Sequence, residues 1–470
     1  MLDPVILSRL QFFWVVSFHI LLPAFTVGLA CYIATLESLY LASRDQTYLR
    51  ISVFWTRVFA VSFGLGVVSG VVMPFQFGTN WSRFSDTTAN VIGPLMAYEG
   101  LTAFFLEASF LGVLLFGRSL VPPWAHCFAA LMVAVGTLFS SFWILAANSW
   151  MQTPAGYELI DGRFHAVDWV AAIFNPSLPY RLSHVVTAFL VTTGFVVVAV
   201  AAHHLRRGRA VSECRNMLSM TLWLLTALVP LQILLGDLHG LNTFHHQPAK
   251  IAGMEGHWET QSGAPLILLG WPDQQAETTR WTIEVPYLGS LILAHELNGT
   301  IRGLKEWLPQ DRPPAAIIFW SFRVMAGIGF LMLGLIIIAN WLRWKGRLYE
   351  TDWFLCICEA CLPLGFVAVI AGWVTTESGR QPWVVYGLLR TADAVTPSLT
   401  GGNVFTSLVV YIAVYLVVYP VTLYYMVALM RAGPVPATAE EVERPIEGLQ
   451  RPAPARAAAA TGAGMERRPP

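Results

Sequence analysis

Residues 371–383 read AGWVTTESGRQPW, and they lie where a long apolar run at 353–374 comes to an end. This stretch holds a lone carboxylate, Glu377, three residues before Arg380. Charge at the edge of a membrane helix is costly unless it has a use, so a residue in this position indicates a functional site. The stretch therefore predicts a membrane helix and, at its end, a first candidate site residue.

The same apolar pattern recurs along the whole chain. Of the 470 residues, 55% are hydrophobic and 12% are charged, whereas soluble domains carry about 25% charged residues. Stretches of about 18 or more nearly uncharged residues can cross a bilayer as helices. The sequence thus predicts an all-α integral membrane protein with nine transmembrane helices, at 12–41, 54–78, 94–117, 124–148, 182–205, 217–240, 315–341, 353–374 and 404–431.

The connectors between these runs differ in charge. Lys and Arg are concentrated at 42–53, 206–216 and 342–352, and the other short connectors carry fewer of them or balance them with acids. Positively charged connectors face the cytoplasm. The N-terminus is therefore predicted to lie outside and the C-terminus in the cytoplasm. The formal net charge of zero gives no indication of a nucleic-acid partner.

The chain divides into four segments. Residues 1–240 hold helices 1–6, and residues 315–431 hold helices 7–9. Between them, residues 241–314 form a long polar connector on the outer side, and its tryptophans predict an ordered segment near the membrane interface. The tail at 432–470 is rich in Pro, Ala and Arg, so we expect it to be disordered in the cytoplasm.

Four side chains that can ligate iron are predicted to lie in the outer half of the membrane. They are His19 in helix 1, His184 at the start of helix 5, Met325 in helix 7 and Glu377 at the end of helix 8. Histidine, methionine and carboxylate can all serve as axial haem ligands. On residue type alone, such a histidine is more often a hydrogen-bonding residue and such a methionine more often fills space, so both interpretations stay open.

Helix 3 carries two acids, Glu99 and Glu107. Eight residues make just over two turns, so the two side chains lie about 12 Å apart along the axis on about the same face. Carboxylates placed this way suggest a proton relay, and a pair of neutral structural acids is the alternative. Ser140 and Asn148 on helix 4 share the spacing, and they either line the same polar path or make ordinary interhelical hydrogen bonds.

The outer connector contains HHQPAKIAGMEGHWET at 245–260, in which Lys250 and Glu255 lie five residues apart beside apolar neighbours. A cation and an acid in apolar surroundings suit a flat, hydrophobic donor of two protons such as a quinol. Glu255 would accept a proton while Lys250 polarises an oxygen. An exposed salt bridge is the alternative interpretation.

Several of these motifs resemble subunit I of the cytochrome bd quinol oxidases. The likeness rests on GRQPW at 379–383 and PAKIAGMEGHWE at 248–259, with further matches at Leu10–Gln11–Phe12, at His19 and in FRVM at 322–325. It covers essentially the whole membrane part. The resemblance implies a terminal oxidase of the bacterial cytoplasmic (inner) membrane that oxidises quinol at the outer face and reduces dioxygen to water, separating charge without a pump.

The resemblance also implies cofactors and partners. A low-spin haem b, a high-spin haem b and a haem d are expected in this subunit. A second membrane subunit is the expected partner, and a small single-helix subunit is a further candidate.

Carried over residue by residue, the resemblance assigns the iron ligands. His184 and Met325 are expected to hold the low-spin haem b, Glu377 the high-spin haem b, and His19 the haem d at the oxygen site. The residues expected beside these ligands, where they balance haem carboxylates or pack between haems, are Arg9, Arg323, Trp373 and Arg380. The matches to the quinol-loop residues are Lys250 and Glu255, and the matches to the proton-path acids are Glu99 and Glu107.

The chain has no long insertion after the quinol motif. This resembles the short-loop branch of the family, which includes cyanide-insensitive oxidases. Some members of that branch carry haem b in place of haem d, so the third haem is either a haem d or a third haem b.

Two other functions compete with this one. A secondary transporter would show internal repeats and helices broken at mid-membrane, and neither the His19 context nor the Glu377 context is repeated. A membrane haem protein that moves electrons without oxygen chemistry needs only haems with both axial positions filled. The unpaired candidate ligands His19 and Glu377 argue against it.

Overall fold

The computed structural model describes residues 3–434, and the predicted tail falls outside these residues from position 435 onward. Within the described part, nine helical segments are long and apolar enough to cross a membrane, as the sequence predicts. These segments span Pro4–Ser43, Gln46–Thr79, Ser82–Phe116, Pro123–Gln152, Leu178–Leu205, Val211–His246, Pro309–Trp344, Asp352–Arg380 and Gly401–Ala432.

The segments are longer than the apolar runs, because polar residues continue the helices beyond the uncharged centre. Some spans contain more than one helix. The α-helices are α1 Pro4–Leu21, α2 Pro23–Ser43, α3 Gln46–Thr79, α4 Ser82–Tyr98, α5 Phe105–Phe116, α6 Pro123–Gln152, α7 Trp169–Ile173, α8 Leu178–Leu205, α9 Val211–His246, α10 Pro248–Glu255, α11 Leu288–Ala294, α12 Ala315–Trp344, α13 Asp352–Ala360, α14 Leu364–Arg380 and α15 Gly401–Ala432.

The strands form small antiparallel pairs that lie in connectors. They are β1 Tyr157–Ile160 with β2 Arg163–Ala166, β3 Gln261–Ser262 with β6 Thr300–Ile301, β4 Leu266–Asp273 with β5 Thr278–Val285, and β7 Trp383–Val385 with β8 Leu389–Arg390. The long connector at 241–314 is therefore ordered: it contains α10, α11 and two of these pairs.

The most buried membrane helix is α8, with 78% of its most apolar window inside the protein. Small residues let neighbouring helices approach it closely. A Cβ on Gly28 of α2 would lie 2.3 Å from Thr193 Oγ1, and one on Gly365 of α14 would lie 2.7 Å from the Thr192 Cα. The helix thus occupies the centre of the bundle, where its first turns can bring side chains against several other helices.

Two backbone irregularities lie beside candidate site residues. Pro23 begins α2 and has no N–H to donate to the His19 carbonyl, so the regular hydrogen bonding of the first span is interrupted there. In the third span a π-turn, Glu99–Phe104, joins α4 to α5. Turns of this kind occur frequently at functional sites.

Candidate functional site

Glu377, in the last turn of α14, is bound from three sides. Its Oε2 accepts a hydrogen bond from Arg380 Nη2 at 2.5 Å, and its Oε1 accepts one from Asn148 Nδ2 at 3.1 Å. Arg181 Nη2 lies 3.8 Å from the same Oε1 and donates to the side-chain oxygen Oδ1 of Asn148. Helices α6, α8 and α14 therefore meet at this one carboxylate.

Lys250 of α10 joins the same group. Its Nζ donates to Gln152 Oε1 at 2.7 Å, and Gln152 Nε2 lies 3.4 Å from Glu377 Oε1. Gly379 allows this approach, because a Cβ there would lie 2.6 Å from the Lys250 Cγ. Burial, together with the nearby Arg181, lowers the pKa of Lys250 well below its usual range. The outer connector is thus tied directly to the end of α14.

The charges of this cluster do not balance. Among the described residues, the carboxylate of Glu377 faces two buried guanidinium groups, Arg181 and Arg380, and the buried amine of Lys250. Arg181 Nε and both Nε and Nη1 of Arg380 are buried without a hydrogen-bond partner among the described residues. Buried charges without partners are strongly destabilising. The cluster therefore fits a ligand that brings further carboxylates, and the two propionates of a haem meet that need.

His19 lies in the last turn of α1, immediately before the interruption at Pro23. Its Nδ1 is 2.9 Å from Ser69 Oγ on α3, which fixes the ring and leaves Nε2 as the nitrogen for coordination. Gly70 faces the ring, and a Cβ there would lie 3.3 Å from its Cε1. The local structure thus holds an imidazole with one nitrogen available to a metal.

His184 and Met325 have similar glycine neighbours. A Cβ on Gly236 of α9 would lie 3.2 Å from His184 Cε1, and one on Gly372 of α14 would lie 2.7 Å from Met325 Sδ. Gln232 Nε2 lies 3.2 Å from both ring nitrogens of His184. Glycine thus allows the His184 and Met325 side chains to pack directly against the backbone of a neighbouring helix.

The acids Glu99 and Glu107 both face α6. Ser140 donates to Glu99 Oε1 at 2.8 Å, and a Cβ on Gly136 would lie 2.5 Å from the Glu107 Cγ. In an uninterrupted α-helix, eight residues turn about 80° beyond two full turns. The π-turn takes about one extra residue, which cancels most of that rotation. It therefore brings the two carboxylates onto one face, as a relay requires.

Trp143 of α6 holds this π-turn. Its indole stacks on Tyr98 with ring centroids 5.2 Å apart, and its Nε1 donates to Thr102 Oγ1 at 2.9 Å. The face of α6 that meets the acids also carries Asn148, which bonds Glu377 rather than a relay acid. Ser140 therefore contacts the relay acid Glu99, whereas Asn148 contacts the Glu377 cluster.

The second predicted group in the outer connector, Glu255, ends α10. It is buried, and its Oε2 has no hydrogen-bond partner among the described residues. The nearest cation is Arg323, whose Nη2 lies 3.6 Å from Oε2. Burial raises the pKa of Glu255, and the charge of Arg323 opposes that rise. The alternative interpretation, an exposed salt bridge between Lys250 and Glu255, is therefore wrong: both residues are buried, and Lys250 binds Gln152 while Glu255 lies beside Arg323.

Arg323 is directed toward the outer connector. Its guanidinium donates to the carbonyls of Met254 at 2.7 Å and Leu268 at 3.2 Å, and also to that of Ile267. It lies over the Phe319 ring, 3.3 Å from the centroid. This arginine therefore anchors α10 and β4 to α12, two residues from Met325.

The remaining predicted residues lie at the edge of these clusters. Trp373 of α14 packs against Phe13 of α1, with ring centroids 5.7 Å apart. Arg9 makes no side-chain hydrogen bond within residues 3–434, and it lines a cavity of about 470 Å³ together with Arg312 and Arg390.

Three residues in these clusters are not among the predicted site residues: Arg181, Gln152 and His257. The first two contact the Glu377 cluster from α8 and α6. His257 follows α10, is 3% exposed, and its Nε2 has no hydrogen-bond partner among the described residues. The sequence signal for His257 is its place in the loop motif, two residues after Glu255.

Comparison with known proteins shows a likeness over nearly the whole chain. The sequence profile of the family described as "Cytochrome bd terminal oxidase subunit I" matches residues 7–434. The chain is 34% identical over 446 residues to the cytochrome bd ubiquinol oxidase subunit 1 of Bacillus subtilis (strain 168), covering 92% of this chain and 94% of that one.

Two further comparisons extend the likeness. The cytochrome bd-II ubiquinol oxidase subunit 1 of Escherichia coli (strain K12) is 30% identical over 509 residues, covering 94% of this chain and 99% of that one. The solved structure of the bd oxidase from Geobacillus thermodenitrificans has a chain that superposes with a TM-score of 0.84 at 31% identity, covering 92% of this chain and 99% of that one.

Proposed function

Because this chain belongs to the cytochrome bd terminal oxidase subunit I family and is thus a subunit of a terminal quinol oxidase, we propose how its residues carry out that reaction. The observation that carries the proposal is the Glu377 cluster, in which one carboxylate faces two buried arginines and a buried lysine. Such a site fits a metal ligand surrounded by partners for the acid groups of a cofactor.

The proposed ligands are the four predicted ones. His184 and Met325 hold a low-spin haem b, Glu377 holds a high-spin haem b, and His19 holds a haem d or a third haem b. When bound, the haems would transfer electrons and provide the iron at which dioxygen is reduced. Arg181, Arg380 and Lys250 would offset the haem carboxylates. Arg9 and Trp373 are proposed to border the haems, and Arg323 to hold the connector beside Met325.

Quinol oxidation is assigned to α10. Glu255 accepts a proton from the quinol, since its carboxylate is buried and has no hydrogen-bond partner on Oε2. Lys250 belongs to the same short helix and binds Gln152, so it holds the quinol site at a fixed position next to the Glu377 cluster.

We expect Glu255→Gln to lower quinol oxidation about 100-fold, within the range for loss of a general base. The base is the deprotonated form, and burial raises its pKa, so the wild-type rate should fall as the pH falls through a value above the ordinary pKa of about 4.3. That acid limb should disappear in the variant. The measurement is oxygen uptake with a soluble quinol from pH 5 to 9. If the rate of Glu255→Gln falls at low pH as the wild-type rate does, Glu255 is not the base that accepts the quinol proton.

Protons for dioxygen reduction are proposed to travel from the cytoplasm through Glu107 and Glu99. The position of both acids on the face that packs against α6 supports this path. It also accounts for charge separation without a pump, because the quinol protons are released outside while other protons are taken up inside. The proposed topology follows the positive connectors: the N-terminus lies outside and the C-terminus lies in the cytoplasm.

We expect Glu107→Gln to lower oxygen uptake about 100-fold, because a carboxamide cannot relay a proton. The loss should appear with quinol and equally with a one-electron donor that releases no proton, such as reduced tetramethyl-p-phenylenediamine, since both donors need protons at the oxygen site. Glu158→Gln, the same change on the exposed strand β1, is the matched control. Normal uptake by Glu107→Gln with both donors would exclude this path.

The chain is a multi-pass membrane protein, and we propose the bacterial inner membrane as its location. A second membrane subunit is the proposed partner. The relatives named as quinol oxidases give no support to a transporter or to an electron carrier without oxygen chemistry. Oxygen uptake by membranes supplied with quinol distinguishes the oxidase from the two alternatives. A transporter gives no quinol-driven oxygen uptake, and an electron carrier gives it only when another terminal oxidase is present.

A further inference from the structure

Two arginines, Arg215 and Arg343, form a basic patch where the first turns of α9 adjoin the last turn of α12. Lys345 and Arg347 follow Arg343 in the next connector, so positive charge is concentrated at this point. The proposed topology assigns the connector to the cytoplasmic side of the membrane. The patch lies far along the chain from every residue assigned to the haems or to the quinol.

The basic patch has no acidic partner among the described residues. Other arginines on the same side are paired, since Arg50 binds Glu213 at 2.7 Å and Arg206 binds Asp352 at 2.8 Å, whereas no carboxylate within residues 3–434 forms such a pair with the patch. Glu350, the other acid of the connector, is exposed to solvent. The charge of the two arginines is therefore available to an anion.

Both arginines meet one face of α9. Arg215, Ser219 and Trp223 follow one another at intervals of four residues, which places them on that face. Arg343 Nη2 donates to the Ser219 carbonyl at 3.0 Å, and the guanidinium carbon lies 4.3 Å from the centroid of the Trp223 ring. Arg215 in turn lies over the ring of Tyr349, 5.1 Å from its centroid. The two guanidinium groups thus share one face within about two helical turns.

Arg343 is held in place but is not fully satisfied. Its Nη1 donates to Asn340 Oδ1 at 3.5 Å, and Asn340 Nδ2 donates to Thr226 Oγ1 of α9 at 3.0 Å. Its Nε is buried and has no hydrogen-bond partner within the described part of the chain. A buried N–H without a partner predicts a ligand that supplies an acceptor. The planar guanidinium suits the oxygens of a phosphate.

The surroundings of the patch are aromatic and then apolar. Trp223 and Trp344 are exposed beside it, and tryptophan is enriched at the level of the lipid head groups. Further toward the middle of the membrane, the same two helices expose Leu234 of α9 and Ile337 of α12. Positive charge at the interface is thus continuous with apolar surface, which fits a ligand with an anionic head and hydrocarbon chains.

We propose that Arg215 and Arg343 bind the phosphate of an anionic phospholipid, whose acyl chains lie along the exposed faces of α9 and α12. The phosphate oxygens accept charge-assisted hydrogen bonds from the two arginines. A zwitterionic lipid also brings a cation, and no carboxylate of the described residues is paired with the patch to receive it. A lipid with net negative charge is therefore preferred. The inference goes beyond quinol oxidation and depends on none of the haem or quinol assignments.

The test labels the assembled oxidase in phosphatidylcholine vesicles that contain a small fraction of photoactivatable phosphatidylglycerol, with a diazirine in one acyl chain. After illumination and proteolysis, we expect lipid adducts on peptides from α9 and α12. The corresponding photoactivatable phosphatidylcholine should label them less. Inorganic phosphate should not compete with the lipid. Arg215→Gln and Arg343→Gln should each lower the labelling about fivefold, the effect of one basic residue near an anionic membrane surface.

Arg44→Asn is the matched control. Arg44 is exposed at the end of α2 on the same side of the membrane, and its φ of 60° is one that asparagine tolerates. The change removes one positive charge, as the two test variants do, but away from α9 and α12. Labelling of the α9 and α12 peptides should therefore stay at the wild-type level.

Three results would overturn the proposal. Equal labelling by both lipids would indicate ordinary lipid contact, wild-type labelling in both glutamine variants would exclude the arginines, and loss of labelling upon addition of inorganic phosphate would indicate a site for the free ion. If Arg343→Gln does not assemble, the exposed Arg215 decides alone, and wild-type labelling in Arg215→Gln then contradicts the proposal.

Discussion

Replacing His184 by alanine is expected to abolish the low-spin haem b signal and to reduce quinol-driven oxygen uptake at least about 100-fold, since loss of an axial ligand changes both the binding and the electronic state of a haem. His184 lies on the central helix α8 in a space kept open by Gly236. Nothing else within the described chain offers an imidazole at that point except His239, whose ring centroid is 5.7 Å away.

His239 therefore provides the matched control. His239→Ala removes an imidazole from the same pocket, yet the low-spin signal should persist. Met325→Leu adds a second check, because leucine conserves volume but has no sulfur. In that variant the haem should remain bound with its low-spin band converted to a high-spin band. A low-spin spectrum in His184→Ala together with its loss in His239→Ala would reverse the assignment.

Glu377→Ala is expected to have an effect of similar size on a different cofactor. It removes the proposed iron ligand and the one carboxylate that the described residues place beside Arg181, Lys250 and Arg380, so the two buried arginines are left without an anion. We expect loss of the high-spin haem b and at least about 100-fold lower oxygen uptake with every donor. The measurement is the haem content and reduced-minus-oxidised spectrum of the purified complex.

The control for Glu377 is Glu359→Gln, in the same membrane span but at its other end. Glu359 binds His203 and Arg206, with oxygen-to-nitrogen distances of 2.6 and 3.0 Å. Its loss should leave all haem bands in place. Full haem content in Glu377→Ala would show that the carboxylate is a counter-ion of the arginines and not a ligand.

The sequence was sufficient for the membrane fold, because runs of uncharged residues must form helices when they cross a bilayer. It also placed Glu377 at a helix end and Glu99 and Glu107 on one face. Their alignment, however, depends on the π-turn at Glu99–Phe104, and no feature of that segment distinguishes it from a regular helix in sequence.

Arg181 and Gln152 could not be predicted from the sequence, because their role depends on tertiary contacts. Each lies near the end of a membrane span, where arginine and glutamine are ordinary. Their importance comes from tertiary partners on other helices: Arg181 lies beside Glu377, and Gln152 accepts from Lys250. His257 was missed because a histidine in a loop is usually exposed, and its burial comes from the packing of the β4–β5 hairpin over α10.

The reduced-minus-oxidised spectrum of the purified complex, combined with extraction and chromatography of its haems, tests the central claim most directly. The account predicts a low-spin haem b, a high-spin haem b and a third haem that is either d or b, with the low-spin band lost in His184→Ala. A complex without haem b bands, or an unaltered low-spin band in His184→Ala, would contradict it.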